Sequence, residues 1–533
     1  MKKYLTYSGN TLIEAELPDS ATILYPPPPI PGFPRSEVAA TARRAFQNPV
    51  GMPPLSELVG PGSRVTIAFD DNCQPFPATG RPDFRELVIE ELLAMLYKYG
   101  VEKERIELRC AVALHRKMQR HEMEAMVGPR IMAEFWPRQL KNFDAEDPTD
   151  IVEVGTTAQG EPVQTSRAVV ESDLVIYVDG IQIPLNGGHK SVAVGFGTYD
   201  SIAPHHSPRM TEHVPHVMQP DGSHMHDSIE RISRVLLEHC RVMVLECAFN
   251  GATYPAHMRF LAKPPERLNP AERVARKATP LSMKAMPEPA RAKVFRAMKS
   301  EYEPLSIVAG SIDQVHPLTL DALRPQLEVG VDRQFDTLVF GLPDLSPYAI
   351  GARLNPVLVV SDVLGYVFNW FWNRPFVKPG GVVIILNPVY EVFHPLYHAA
   401  YSRFFDEVLR DTADPFEMHT HHQERFARDP ELVEAYRRRF AHHGFHPFTV
   451  WYWATYPLRY LSKVILVGPP DDRAARRLGV SWAGSLRHAL GWARELTGGD
   501  DVVALTIPPF MYLSVNGPRS HQSTDAVPAC SAR

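Results

Sequence analysis

Three short polar clusters carry reactive side chains in this 533-residue chain, and each follows an apolar run. Asp71-Asn72-Cys73-Gln74-Pro75 comes after the run at 65–69. His115-Arg116 comes after 106–114. Asn186-Gly187-Gly188-His189-Lys190 comes after 174–178 and Asp179-Gly180. A histidine at such a position is a candidate acid or base, because imidazole titrates near neutral pH; it is equally a candidate for a structural hydrogen bond. Gly187-Gly188 ahead of a helix can turn backbone N–H groups towards a phosphate, although a glycine pair most often only makes a turn. Lys190 at that helix start opposes the helix dipole. An anion or a covalent attachment would account for it, and a solvated surface lysine is the plainer account.

A fourth cluster is rich in imidazole: His205, His206, His213, His216, His224 and His226. Imidazole suits zinc, copper, iron or nickel. No spacing in this stretch matches a zinc motif, so each single member is more readily a surface or structural residue.

The elements that must position these groups read as alternating strands and helices. The run at 65–69 is a buried strand, and Asp83 is placed to cap a helix whose apolar residues Phe84, Leu87, Val88, Leu92 and Met95 recur at helical spacing. Further strands are expected at 106–114, 174–178 and 242–245, with helices at 117–127 and 226–240. After a helical connector at 256–304, a second unit is expected from Leu305, with strands at 336–341, 382–386, 463–467 and 502–507 and helices at 472–478 and 485–496. This alternation implies an α/β protein: two α/β domains with mostly parallel sheets and the active site in the cleft between them. In such sheets ligands bind beyond the carboxyl ends of the strands, so the three strand-end clusters are expected to meet in one crevice. The expected domains are 1–255, the connector 256–304, 305–515, and a disordered tail 516–533.

Composition narrows the classes. Hydrophobic residues make up 44% and charged residues 22%, with a formal net charge of −5 spread along the chain. That balance describes a globular protein with neither a nucleic-acid surface nor a basic membrane patch. The cysteines, Cys73, Cys110, Cys240, Cys247 and Cys530, are odd in number and widely spaced; reduced thiols in a cytoplasm fit better than a disulfide scaffold. No signal peptide and no membrane span are expected.

In order along the chain these motifs resemble the lactate racemase family. Asp71 to Pro77 looks like its Asp-x-Thr-Arg-Pro-x-Pro, and Leu114-His115-Arg116 like its Leu-His-Arg. Gly187-Gly188-His189-Lys190-Ser191, the turn Gly195-Phe196-Gly197 and the pair His206-Ser207 look like its Gly-Gly-x-Lys, Gly-rich turn and His-Ser. Ala309-Gly310-Ser311 with His316, Lys378-Pro379-Gly380-Gly381, and Leu478-Gly479 extend the similarity over most of 60–510. The resemblance implies a nickel-pincer nucleotide, a pyridinium-derived mononucleotide holding nickel, joined covalently to Lys190 and made by cofactor-assembly enzymes. It implies His206 as the nickel ligand, with His205 its rival, and His115 as acid/base. It places Asp71, Gly187 and Gly188 at the cofactor, and Gln74 and Arg116 at a small-molecule substrate. The implied reaction is an isomerisation, racemase or epimerase in type, by hydride transfer on a 2-hydroxy acid or related hydroxyl compound.

The chain departs from the family pattern in two ways. The stretch 180–186 lacks the second catalytic histidine, and Gln74 replaces the arginine that binds a substrate carboxylate; glutamine forms no charge-assisted bidentate pair. The second-domain region 341–348 shows no match to the family's substrate-binding glutamine and lysine, leaving Arg353 as a nearby stand-in. A substrate other than lactate is therefore expected. The competing readings are a divalent-metal hydrolase using the 205–226 histidines with His115, and a non-catalytic relative that binds the nucleotide.

Overall fold

Two six-stranded sheets organise the protein, whose computed structural model describes residues 1–214 and 216–516. The first sheet runs, edge to edge, through Pro304–Gly310, Val242–Phe249, Leu174–Ile181, Val65–Asp70, Ile106–Ala111 and Leu140–Asn142. All its pairings are parallel except that of Pro304–Gly310, which runs antiparallel to Val242–Phe249. The second sheet runs through Ser481–Ala483, Lys463–Val467, Val377–Leu386, Phe335–Gly341, Val502–Leu505 and Thr22–Leu24, parallel throughout. The protein is thus α/β with mostly parallel sheets.

The strand sequences explain the burial. Leu174–Ile181 and Val242–Phe249 are buried at every position, as expected of parallel strands covered on both faces. Helix Phe84–Lys98 packs Val88, Leu92 and Leu96 inward, and the Asp83 carboxylate caps it by accepting from the Arg85 N–H. The Arg85 side chain is fully buried. Its guanidinium grips Asp83 through two nitrogens at 2.9 and 3.0 Å and donates to the carbonyls of Asp70 and Asp71 at 2.8 Å each. One buried cation therefore ties a helix start to the end of the strand that carries Asp71.

Two boundaries differ from expectation. The strand at the expected start of the second unit, Pro304–Gly310, belongs to the first sheet, and Thr22–Leu24, from the N-terminal segment, belongs to the second. Both are edge strands, and which sheet an edge joins is decided by packing rather than by its own pattern. The connector is helical, with helices Pro270–Ala285 and Glu288–Ala297. The expected helix at 117–127 lies at Arg120–Phe135. The expected tail at 516–533 lies, apart from Asn516, outside the described residues, as does Cys530. No helix of the described residues is long and apolar enough to cross a membrane.

Candidate active site

The carboxyl ends of Val65–Asp70, Ile106–Ala111 and Leu174–Ile181 are neighbours because those strands are adjacent in the sheet. They open into a cavity of about 190 Å³ whose far wall comes from the second half of the chain. Asp71, Gln74, His115, Gly187, Lys190 and His206 line the first wall; Tyr348, Asp362, Tyr366, Trp370, His446 and Trp453 line the other. Its apolar and aromatic far wall with a few polar groups suits an organic ligand.

At the first wall, His115 Nδ1 lies 2.8 Å from Asp71 Oδ2 and 3.5 Å from Cys73 Sγ. Among the described residues Nε2 forms no hydrogen bond. A carboxylate on Nδ1 fixes the tautomer with the proton on Nδ1 and leaves Nε2 as the acceptor facing the cavity. Burial alone would raise the Asp71 carboxyl; attraction to His115, together with hydrogen bonds from His115 and the Cys73 N–H, outweighs burial and lowers it. The same three residues are the one group of possible metal donors among the described residues, with ligand atoms within 4.8 Å of one another. Burial pushes the Cys73 thiol well up, with Asp71 adding to the effect, so it is a poor thiolate.

Lys190 lies in the first turn of helix His189–Gly195. Among the described residues it forms no hydrogen bond or ion pair, and burial lowers its pKa against the pull of Asp70 and Asp179. A buried amine held closer to its neutral form is a better nucleophile. His206 ends the helix Tyr199–His205, and its Nδ1 sits 2.7 Å from His205 Nδ1. Burial, with His205 and Lys190 adding, drives the His206 pKa well below its ordinary value. A neutral ring that shares one nitrogen with a neighbour has its other nitrogen for a metal. His205 does not line the cavity, and its Nε2 is buried without a partner.

Several expected roles fail. Arg116 is buried away from the cavity: it pairs with Glu122 through both terminal nitrogens at 2.5 and 2.8 Å and lies over Tyr397. Its charge is already spent, so it is no substrate ligand. Arg353 likewise stacks on Tyr390 and pairs with Glu288 at 2.9 Å. The Gly188 N–H is taken by Glu246 Oε1 at 2.7 Å, and His316 Nδ1 lies 3.1 Å from the same carboxylate. The Gly188 N–H therefore serves a protein carboxylate, while Gly187 lines the cavity. The glycines are still required: at Gly188, with φ +60°, a Cβ would stand 2.7 Å from the His316 ring. The Asp71 carboxylate lines the cavity and there holds His115 Nδ1 and the Cys73 N–H. The 205–226 histidines meet in two pairs, His205 with His206 and His213 with His224, whose rings stand 4.7 Å apart, and not in one cluster. His216 and His226 bind the backbone carbonyls of Trp453 and Val217, and His213 lies beside Glu212.

The far wall was not anticipated. His446 starts helix His446–Tyr452. Its Nδ1 lies 2.7 Å from Tyr401 Oη, and its ring stands 5.1 Å from that of His115. Burial, then the neighbouring His442 and His115, lower its pKa well below the ordinary value. The sequence signal was the group His442-His443-Gly444-Phe445-His446, denser in histidine than the cluster at 205–226. Asp362 opens a π-helical turn, Asp362–Tyr366, a feature frequent at functional sites, and burial pushes its carboxyl up to about 8. Tyr348 and Tyr366 share a hydroxyl contact of 2.6 Å.

Residues 8–218 match the lactate racemase N-terminal domain family. The lactate racemase of Lactiplantibacillus plantarum is 24% identical over 195 residues, 36% of this chain and 43% of that protein. The lactate racemase of Thermoanaerobacterium thermosaccharolyticum is 23% identical over 169 residues, 31% of this chain and 37% of that protein. The chain thus spans about two fifths of the length of these curated relatives. The structure of the lactate racemase apoprotein from Thermoanaerobacterium thermosaccharolyticum superposes with a TM-score of 0.60 at 15% identity, over 96% of this chain and 100% of that one, a likeness of fold. The N-terminal part of this chain, residues 8–218, is thus similar to the lactate racemase N-terminal domain, and the whole chain shares its fold with a lactate racemase apoprotein.

Proposed function

We propose that the protein is a racemase- or epimerase-type isomerase that uses a nickel-pincer nucleotide on a hydroxyl compound other than lactate. The observation that carries this reading is the shared cavity: an amine without hydrogen bond or ion pair, a neutral imidazole and an oriented imidazole, Lys190, His206 and His115, all line it. The donor set fits the group, since Lys190 offers a nitrogen for the covalent link and His206 a ring nitrogen for nickel. Bound there, the group supplies a reversible hydride acceptor. His115 Nε2 takes the proton of the substrate hydroxyl, and Asp71 stabilises the imidazolium that results. His446, from the far wall, reaches across to His115. Rings 5.1 Å apart leave no room for a carbon between them, so the two imidazoles serve one hydroxyl and its proton. Gln74 lines the cavity as a neutral amide. Losing a charge-assisted contact costs about 1.5–3 kcal/mol, tenfold or more in rate, so lactate should turn over poorly.

The test is peptide mass spectrometry and nickel analysis of protein made in a host that has the cofactor-assembly enzymes. Lys190 should carry an adduct, and His206→Ala should lose nickel while His205→Ala keeps it. An unmodified Lys190 in active protein refutes the reading. Activity of metal-loaded protein without any organic group would support the hydrolase alternative, and adduct-bearing protein that turns over no hydroxyl compound would support a binding role.

A further inference from the structure

The wall opposite His115 and Lys190 is built differently from the first. It is broad and aromatic, made by Tyr348, Tyr366, Trp370, Trp453 and Phe510 with Val367 and Ile507. It contains no lysine or arginine. Among the residues lining the cavity Lys190 is the single lysine or arginine, and Arg116, next to His115 in sequence, is paired with Glu122 elsewhere. The cavity residues do include polar atoms with nothing to bind, three on this wall and one, on Gln74, across from it. Trp370 Nε1 and Trp453 Nε1 are buried donors without partners; Gln74 Oε1 and Asp362 Oδ1 are buried acceptors without partners. A native interior seldom leaves such groups unmatched unless a ligand or water completes them.

We propose that this wall is a subsite for an uncharged hydroxyl compound with an aromatic or similarly broad apolar body, not for a carboxylate. Indole N–H groups and amide or carboxyl oxygens, two donors and two acceptors, match hydroxyls and amides, which both give and accept hydrogen bonds. A carboxylate offers acceptors alone. On this wall it would lose its water with no cation to replace it, beside the carboxyl of Asp362. The aromatic rings supply the flat apolar contact that holds the body of the substrate. The proposal deepens the function proposed above and rests on it at one point: Lys190, once joined to the nucleotide, no longer presents a cation.

The test is calorimetric titration of the full-length protein, with the Lys190 adduct verified by intact mass on the same sample. The probes are 1-phenyl-1,2-ethanediol, mandelate, and propane-1,2-diol. The phenyl diol should bind at least tenfold more tightly than mandelate, which differs by a carboxylate in place of a hydroxymethyl group, and at least tenfold more tightly than propanediol, which lacks the ring. Asp362→Asn, which stays neutral and polar, should keep the diol affinity within about threefold, whereas Asp362→Leu should lose it. If Asp362→Leu does not fold, the probe comparison on the wild type decides. Mandelate binding as tightly as the phenyl diol, propanediol binding as tightly, or no heat from any probe with adduct-bearing protein would overturn the proposal. Absence of the adduct would instead overturn the cofactor reading, and Lys190→Met then provides a cation-free cavity for the same titration, so the two failures are separable.

Discussion

His216 holds the far wall in place, and its removal should make stability less sensitive to acid. Its Nε2 donates to the carbonyl of Trp453 at 3.1 Å, and its Nδ1 is buried without a partner. Burial, opposed by that single hydrogen bond, lowers its pKa from 6.5 to about 3. The sign follows from linkage. In the window from about 6.5 down to about 3, the unfolded chain takes a proton at this ring and the folded protein does not, so acid favours unfolding. The stabilising difference is fully present above 6.5 and is lost as pH falls through that window. One pH unit below the unfolded pKa, at pH 5.5, the loss is about 1.4 kcal/mol. The whole-protein curve cannot isolate this effect, because Asp362, with its carboxyl raised to about 8, gains stability on acidification. A difference does isolate it. His216→Gln keeps an N–H donor and does not titrate. Urea unfolding of wild type and variant should show the variant less stable at pH 7.5, with the gap about 1.4 kcal/mol smaller at pH 5.5. A gap that stays constant between the two pH values would refute the buried neutral histidine.

Asp71→Asn should lower turnover of the identified substrate about 10²–10⁴-fold with little change in thermal midpoint, because an amide N–H turned to His115 Nδ1 reverses the tautomer and blocks Nε2; a loss under threefold contradicts the assignment. Arg116→Ala leaves Glu122 buried and unpaired and should cost about 3–5 kcal/mol in urea unfolding. A variant of normal stability with a raised KM would instead place Arg116 at the substrate. Gly188→Ala, with φ +60° and a Cβ 2.7 Å from the His316 ring, should cost about 1–3 kcal/mol and reduce the Lys190 adduct found by mass spectrometry; a neutral effect on both would mean the turn tolerates a side chain.

What the sequence revealed and what it hid separate along a physical line. The first wall was legible because its groups sit just past the ends of parallel strands. A continuous apolar run such as Leu174–Ile181 announces itself, and adjacency in the sheet then brings Asp71, His115 and the segment of Lys190 together. The strand Lys463–Val467 was read at its observed limits for the same reason. Arg116 misled because position beside His115 says nothing of direction. Adjacent residues past a strand end point apart, and this one points to Glu122. The glycine turn misled because its occupant, Glu246, lies 58 residues on in another strand, and only the fold brings that carboxylate to the N–H.

The far wall was illegible for a deeper reason. Asp362, His446 and Trp453 sit on or beside short helical segments, one of them a π turn, inside stretches apolar on every side. Val357, Leu358, Val359 and Val360 are all buried, so no amphipathic face shows which residue turns to a ligand. The cavity is thus assembled from two kinds of information. Chemistry is carried by side chains that a sheet edge presents in a predictable direction. Selectivity is carried by helices whose orientation depends on packing. A chain can therefore keep the first wall's motifs and change its substrate through residues such as Asp362, Trp370 and Trp453. Gln74, a neutral amide within a strand-end motif and facing a wall without cations, fits the proposed uncharged substrate from the first wall as the far wall does from the other.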